Sequence, residues 1–246
     1  MMNRLSSLKQ VAGAVVMGMV AALGINGPAA AADAKPDFTG LWFPAGATQT
    51  PKQLPFTDYA QKKYDDYVAQ FEIDDDAGYY CISPGMPRSI WGAPFTVEIF
   101  HRPQDVTIIW EGYNQYRKIY VDGYPRPEPL IATQMGFSVA HWEGDVLVVE
   151  TDNLREYPYM IRTPTSEGAR ITERMHIETR DYRGTPTKFL VDELTLVDPK
   201  IYREPVKITA SLRYSPETPI LEYTCTDLLW EQYLERRGLP TPTLSD

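Results

Sequence analysis

Three polar residues fall where strand alternation would turn them toward an apolar interior. In Ile171-Thr172-Glu173-Arg174-Met175-His176-Ile177 the apolar face is Ile171, Met175 and Ile177, and Glu173 shares it. Arg117 shares a face with Ile119 and Val121, while Tyr116, Lys118 and Tyr120 point the other way. His141 falls with Phe137 and Val139, and Trp110 falls with Val106 and Ile108. A carboxylate, a guanidinium and an imidazole converging in an apolar lumen could do acid–base chemistry. His141 or Glu173 would be the general base, and Arg117 would stabilise developing negative charge. Without catalysis, Arg117, His141, Glu173 and Trp110 would be the ligand-binding contacts of a small cavity. Two other readings stay open. Arg117 and Glu173 could form a buried ion pair that fixes strand register, or a one-residue slip in alternation could put all three polar groups in water.

Other chemistries lack their residues. His101, His141 and His176 lie on different expected strands, with no His-x-x-x-His or Cys-x-x-Cys spacing, so no metal site is expected. No Gly-x-Gly-x-x-Gly, Gly-x-x-x-x-Gly-Lys-Ser/Thr or Gly-x-Ser-x-Gly occurs, so no cofactor and no serine-hydrolase elbow is expected. The run Asp74-Asp75-Asp76 lacks the spaced oxygens of a calcium loop and reads as solvated surface.

The elements that must carry these side chains are mostly strands. Segments 95–101, 105–112, 115–122, 137–142, 145–151, 169–181, 186–197, 206–214 and 219–225 show period-two alternation with turn residues between them. Asp122-Gly123, Glu143-Gly144 and Arg183-Gly184 are the clearest turns. Nine strands with short links predict a mainly β fold, an up-and-down antiparallel barrel or strongly curved sheet. Two peripheral helices stand apart. Thr57 can cap one whose Ala60, Tyr64, Tyr67, Val68 and Phe71 share a face. Thr226 can cap the other, with Leu228, Leu229 and Tyr233 inward and Gly238 beyond its end.

The first 32 residues read as a secretory signal peptide: Arg4 and Lys9, an apolar run 11–23, then Pro28-Ala29-Ala30-Ala31-Ala32 before the cut. The run is shorter than the roughly 20 residues a spanning helix needs, so stable membrane insertion is not expected. A periplasmic or secreted location and a single β-rich domain over 33–246 follow. Without Arg4 and Lys9, the 24 basic residues become 22 against 33 acidic ones, a balance of −11 that disfavours nucleic acid and anionic lipid. The only two cysteines, Cys81 and Cys225, are assigned to one disulfide in that oxidising compartment.

Several phrases carry a resemblance: Pro36-Asp37-Phe38-Thr39-Gly40-Leu41-Trp42, Leu54-Pro55-Phe56-Thr57, Pro84-Gly85-Met86-Pro87-Arg88 and Trp142-Glu143-Gly144-Asp145-Val146-Leu147-Val148-Val149. Together with Glu173-Arg174 and Tyr223-Thr224-Cys225 they resemble a large family of exported, mostly uncharacterised bacterial proteins. The resemblance implies a compact, lipocalin-like exported domain. Where that family often shows Gly-His-Ser, this chain has Gly136-Phe137-Ser138. The expected function is binding of a small hydrophobic or aromatic molecule in the barrel lumen. Its alternatives are a cofactor-independent lyase, isomerase or hydrolase using the same cavity, and an envelope structural or interaction module with a filled core.

Overall fold

The structure is a computed structural model that describes residues 35–45, 48–72, 75–91, 95–160 and 162–240. The signal-peptide segment lies outside the described residues. The strands are β1 (Gly40–Pro44), β2 (Val97–Arg102), β3 (Asp105–Trp110), β4 (Gln115–Val121), β5 (Phe137–Glu143), β6 (Val146–Asp152), β7 (Arg170–Tyr182), β8 (Thr185–Val197) and β9 (Val206–Tyr214). They close into one barrel in chain order, with β9 returning to β1. Among the described residues three helices lie outside it: α1 (Asp58–Val68), the single turn α2 (Arg88–Trp91) and α3 (Cys225–Arg236).

Eight of the nine expected strands form, and the ninth is a different segment. Residues 219–225 are not a strand. Pro219 cannot donate to a ladder, Leu221 is 64% exposed, and the Leu221 N–H is held instead by Glu111 Oε2 at 2.9 Å. The barrel closes through β1, which runs antiparallel to β2 and β9 with three register pairs to each. A proline at its end and a glycine at its start conceal it from a pattern search.

The meander is also broken once. β4 and β5 run parallel, joined only at Ile119↔Ser138, Tyr120↔Val139 and Val121↔Ala140. The connection 122–136 therefore returns along the outer wall. Tyr124 stacks on Tyr120 at 3.6 Å, and the Arg126 guanidinium lies 5.2 Å from the Phe137 ring. The other neighbouring strands pair antiparallel.

The two ends of the barrel differ. One carries the tight turns 102–105, 143–146 and 182–185, with Arg183 and Gly184 both at positive φ (56° and 82°), as a two-residue hairpin of this hand requires. Phe38 plugs this end, fully buried against His101 and Trp142. The other end receives the long connections 45–96, 153–169 and 198–205, and with them α1, α2 and the disulfide.

Thr57 caps α1 as expected, accepting from the Ala60 N–H at 3.2 Å. Its inward face is narrower than the periodicity suggests: Ala60 is buried, Tyr64 and Tyr67 are half-buried, and Val68 and Phe71 are exposed. α3 begins one residue before the expected Thr226 cap, and the preceding Thr224 makes no side-chain cap bond. Leu228 and Tyr233 face solvent, and Leu234 is its one buried residue. So little apolar surface cannot hold a helix in place. The Cys81–Cys225 disulfide, with Cα atoms 5.8 Å apart, does so by tying the first residue of α3 to the end of a 3-10 turn, Ala77–Tyr80.

Converting both cysteines to serine should lower stability in urea by at most about 5 kcal/mol, the chain-entropy value for a loop of 144 residues. Amide exchange should accelerate in α3 while β7 and β8 stay protected. Unchanged protection in α3 would mean that packing, rather than the cross-link, holds the helix.

Candidate functional site

The centre of the barrel is polar and filled. Arg117 on β4 is 2% exposed and Glu173 on β7 is fully buried. The guanidinium Nη1 donates to Glu173 Oε1 at 2.8 Å, and Nη2 donates to Oε2. Nη2 also donates to Thr151 Oγ1 on β6 at 2.8 Å, and Nε donates to Ser138 Oγ on β5 at 3.1 Å. The two hydroxyls lie 2.9 Å apart and bond to each other. Both inward assignments, Arg117 with Ile119 and Val121 and Glu173 with Ile171 and Met175, agree with the burial pattern of β4 and β7. Of the readings left open for this pair, the geometry is that of the buried ion pair.

A second carboxyl joins it. Asp192 on β8 lies across the ladder from Met175 and is 7% exposed. Burial pushes its pKa well above the usual carboxylate range, and the neighbouring Glu173 carboxylate adds to the rise through charge and a hydrogen bond. Arg117 pulls the other way and does not offset them. In this apolar shell Arg117 pairs with Glu173, and burial beside that carboxylate favours the neutral form of Asp192. Asp192 Oδ1 has no hydrogen-bond partner among the described residues.

The space left beside these groups is about 20 Å³, bordered by Trp110, Arg117, Met175, Glu173 and Asp192 and capped by Ile90. That is room for one water. Ligand pockets take roughly 300–1,000 Å³, so the lumen does not accommodate a small aromatic molecule. Trp110 is accordingly core, 8% exposed.

His141 is placed differently from expectation. It is half exposed on the outer wall, with Nε2 3.4 Å from Glu143 Oε1. The inner face of β5 is Ser138 and Ala140, so Phe137, Val139 and His141 point outward. Phe137 is nevertheless buried, because Tyr120 and Arg126 cover it from outside. That apolar outer face imitates a core face, which is why alternation alone points His141 inward. His141 and Glu173 consequently lie on opposite sides of the wall and cannot serve one substrate as a pair.

A far larger space opens at the loop-bearing end: a cleft of about 960 Å³. One wall is the segment 50–56 with Tyr64 of α1, where Phe56 packs on Tyr64 at 5.6 Å and on Tyr202 at 5.8 Å. A second wall is Phe95, Tyr113 and Tyr223, whose ring centroids lie 5.1–6.3 Å apart. Met160, Val206, Ile208 and Leu228 complete the apolar lining. Tyr113 and Asn114 hold left-handed backbone (φ 64° and 48°), and Asn114 Nδ2 donates to the Tyr223 carbonyl at 3.2 Å. A conformation that non-glycine residues avoid is thus spent on fixing one aromatic wall. Gly78 must lack a side chain here, since a Cβ would sit 2.5 Å from Tyr113 Oη. Burial and the nearby Tyr223 push the Tyr113 phenol up to about 12, so it stays a neutral hydrogen-bonding group.

The cleft floor is an ion cluster. Arg88 of α2 donates to both oxygens of Asp76 and, at 3.0 Å, to Tyr157 Oη. Arg162 Nε donates to Asp76 Oδ2, and the Gly78 N–H donates to Oδ1, both at 2.9 Å. Burial alone would raise the Asp76 pKa, but these hydrogen bonds hold it far below the ordinary range. Asp76, 4% exposed, is therefore an internal anchor and not the solvated residue its acidic run suggests. The sequence offered two signals for this cluster: Asp76-Ala77-Gly78, an Asx-type turn, and Arg88 at the end of Pro84-Gly85-Met86-Pro87-Arg88. Nothing in either marks the partner, which comes from a distant loop.

No family model, curated protein or solved structure matches the chain. Its class therefore rests on the fold: a mainly β, closed nine-stranded barrel of the lipocalin-like kind, disulfide-bonded, with its polar centre filled and a cleft of about 960 Å³ at the mouth.

Asp192→Asn keeps the shape of the protonated acid and removes its titration. A carboxyl whose folded pKa is raised stabilises the fold below its unfolded pKa, near 4, and loses that contribution as pH rises toward the folded value. In urea titrations from pH 4 to 8, Asp192→Asn should gain on the natural chain by up to about 1.4 kcal/mol per pH unit across that window. Parallel stability curves would show that Asp192 is ionised in the folded protein.

Proposed function

We propose that this chain is an exported barrel protein that binds a small hydrophobic or aromatic molecule, and that the molecule sits in the mouth cleft rather than in the lumen. The observation that carries the reading is the cleft itself. Its volume lies within the range of ligand pockets, it has aromatic rings on two sides, and rigid supports hold those rings. Tyr113 and Tyr223 are fixed by backbone and side-chain bonds, and the floor is locked by Asp76 and Arg88. A site whose walls are set before binding loses less entropy when occupied. Export agrees with the N-terminal segment as read from sequence and with the disulfide, which suits an oxidising compartment.

Titration with the neutral fluorophore N-phenyl-naphthylamine tests the reading. The natural chain should bind it saturably, and Tyr223→Ala should weaken binding by about tenfold, as expected for the loss of one stacking ring. Circular dichroism should stay unchanged, since Tyr223 lies outside the barrel. Absence of saturable binding, or indifference to Tyr223→Ala, would remove the cleft from consideration.

A further inference from the structure

The charges around the cleft oppose those of the molecule. The chain carries 33 acidic against 24 basic residues, a net of −9. The described lining of the cleft reverses that sign: Lys52, Arg88 and Arg162 against Asp76 alone. With Arg162 left out of the balance, two cations still face one carboxylate. Arg88 is committed to Asp76 and Tyr157, so it contributes field rather than a free donor. Lys52 is different. It is exposed at the rim, beside Gln53 and Leu54 on the aromatic wall, and makes no ion pair or hydrogen bond among the described residues. An ammonium on a flexible stem above an apolar pocket can reach an acid group on a ligand whose ring lies below it.

We infer that the ligand is an amphipathic anion: a planar hydrophobic body bearing a carboxylate, with the rings between Phe56–Tyr64 and Phe95–Tyr113–Tyr223 and the acid group at Lys52. This rests on the cleft being the binding site. The local field concentrates such an anion against the repulsion of the whole acidic chain, since nearby cations dominate once salt screens distant charge at about 8–10 Å. A neutral aromatic of the same shape receives the stacking alone, and a cation is disfavoured.

Displacement of N-phenyl-naphthylamine by naphthoate and by naphthamide separates this inference from the one beneath it. The two competitors share a ring system and differ in charge. Naphthoate should displace the fluorophore from the natural chain at about one-fifth the concentration naphthamide needs, as one partly exposed ion pair provides. The preference should shrink in Lys52→Gln and reverse in Lys52→Glu, while naphthamide changes less than twofold in either. Both variants alter an exposed side chain and leave the fold intact. Equal displacement by the two compounds, or a naphthoate preference that survives Lys52→Glu, overturns the anionic assignment while leaving the cleft reading standing. Failure of the fluorophore to bind the natural chain overturns both.

Discussion

A guanidinium enclosed by a barrel has to be satisfied by the wall around it, and Arg117 meets that demand by reaching three neighbouring strands. Its bonds to Ser138, Thr151 and Glu173 connect β4, β5, β6 and β7 through one side chain. The position matters, because β4 and β5 are the one parallel pair and share only three register pairs. A parallel strand entering a meander has no hairpin to fix its register. A slip of one residue there would turn Ser138 outward and leave the buried Arg117 Nε–H without its partner, a loss of about 1–3 kcal/mol. The ion cluster thus specifies which face of β5 looks inward. Pairing of this kind adds little net stability compared with an apolar core, and its contribution here is to register and closure.

The same cluster fills the barrel centre. Once Arg117, Glu173 and Asp192 occupy the centre with Trp110 and Met175, the lumen keeps space for a single water. The long connections, freed from closing the tight-turn end, gather at the other end and build a cleft nearly fifty times larger. On the proposed reading the barrel is a rigid support on which loops carry recognition, the usual division of labour between scaffold and connection. Its second ion cluster, Asp76 with Arg88 and Arg162, fixes those loops to one another as the first fixes the strands. The disulfide adds the C-terminal helix to the same assembly.

Much of this arrangement was legible in the sequence, and the exceptions have physical causes. Period-two alternation located eight strands, the turn at Arg183-Gly184 and the inward faces of Arg117 and Glu173, because those features are local. β1 was hidden because a five-residue strand flanked by glycine and proline carries no alternation signal. Residues 219–225 alternate without burying a face. His141 was placed inward because Phe137 is apolar and buried, though by a crossover packed on the outside. The cleft was the least legible part. Phe56, Asp76 and Arg88 are spread along the connection 45–96, while Tyr113 lies between β3 and β4 and Tyr223 follows β9, and only the closed barrel brings them to one end. No spacing rule could have joined Asp76 to Arg162 across 86 residues.

Two methionines report on the two spaces separately: Met160 lines the cleft and Met175 lines the lumen. Methyl-labelled methionine NMR during titration with N-phenyl-naphthylamine reads both at once. The account predicts progressive shifts at Met160 that saturate with the fluorescence change, while Met175 stays in place. Saturating shifts at Met175 with Met160 unmoved would contradict it, because the ligand would then occupy the filled centre of the barrel.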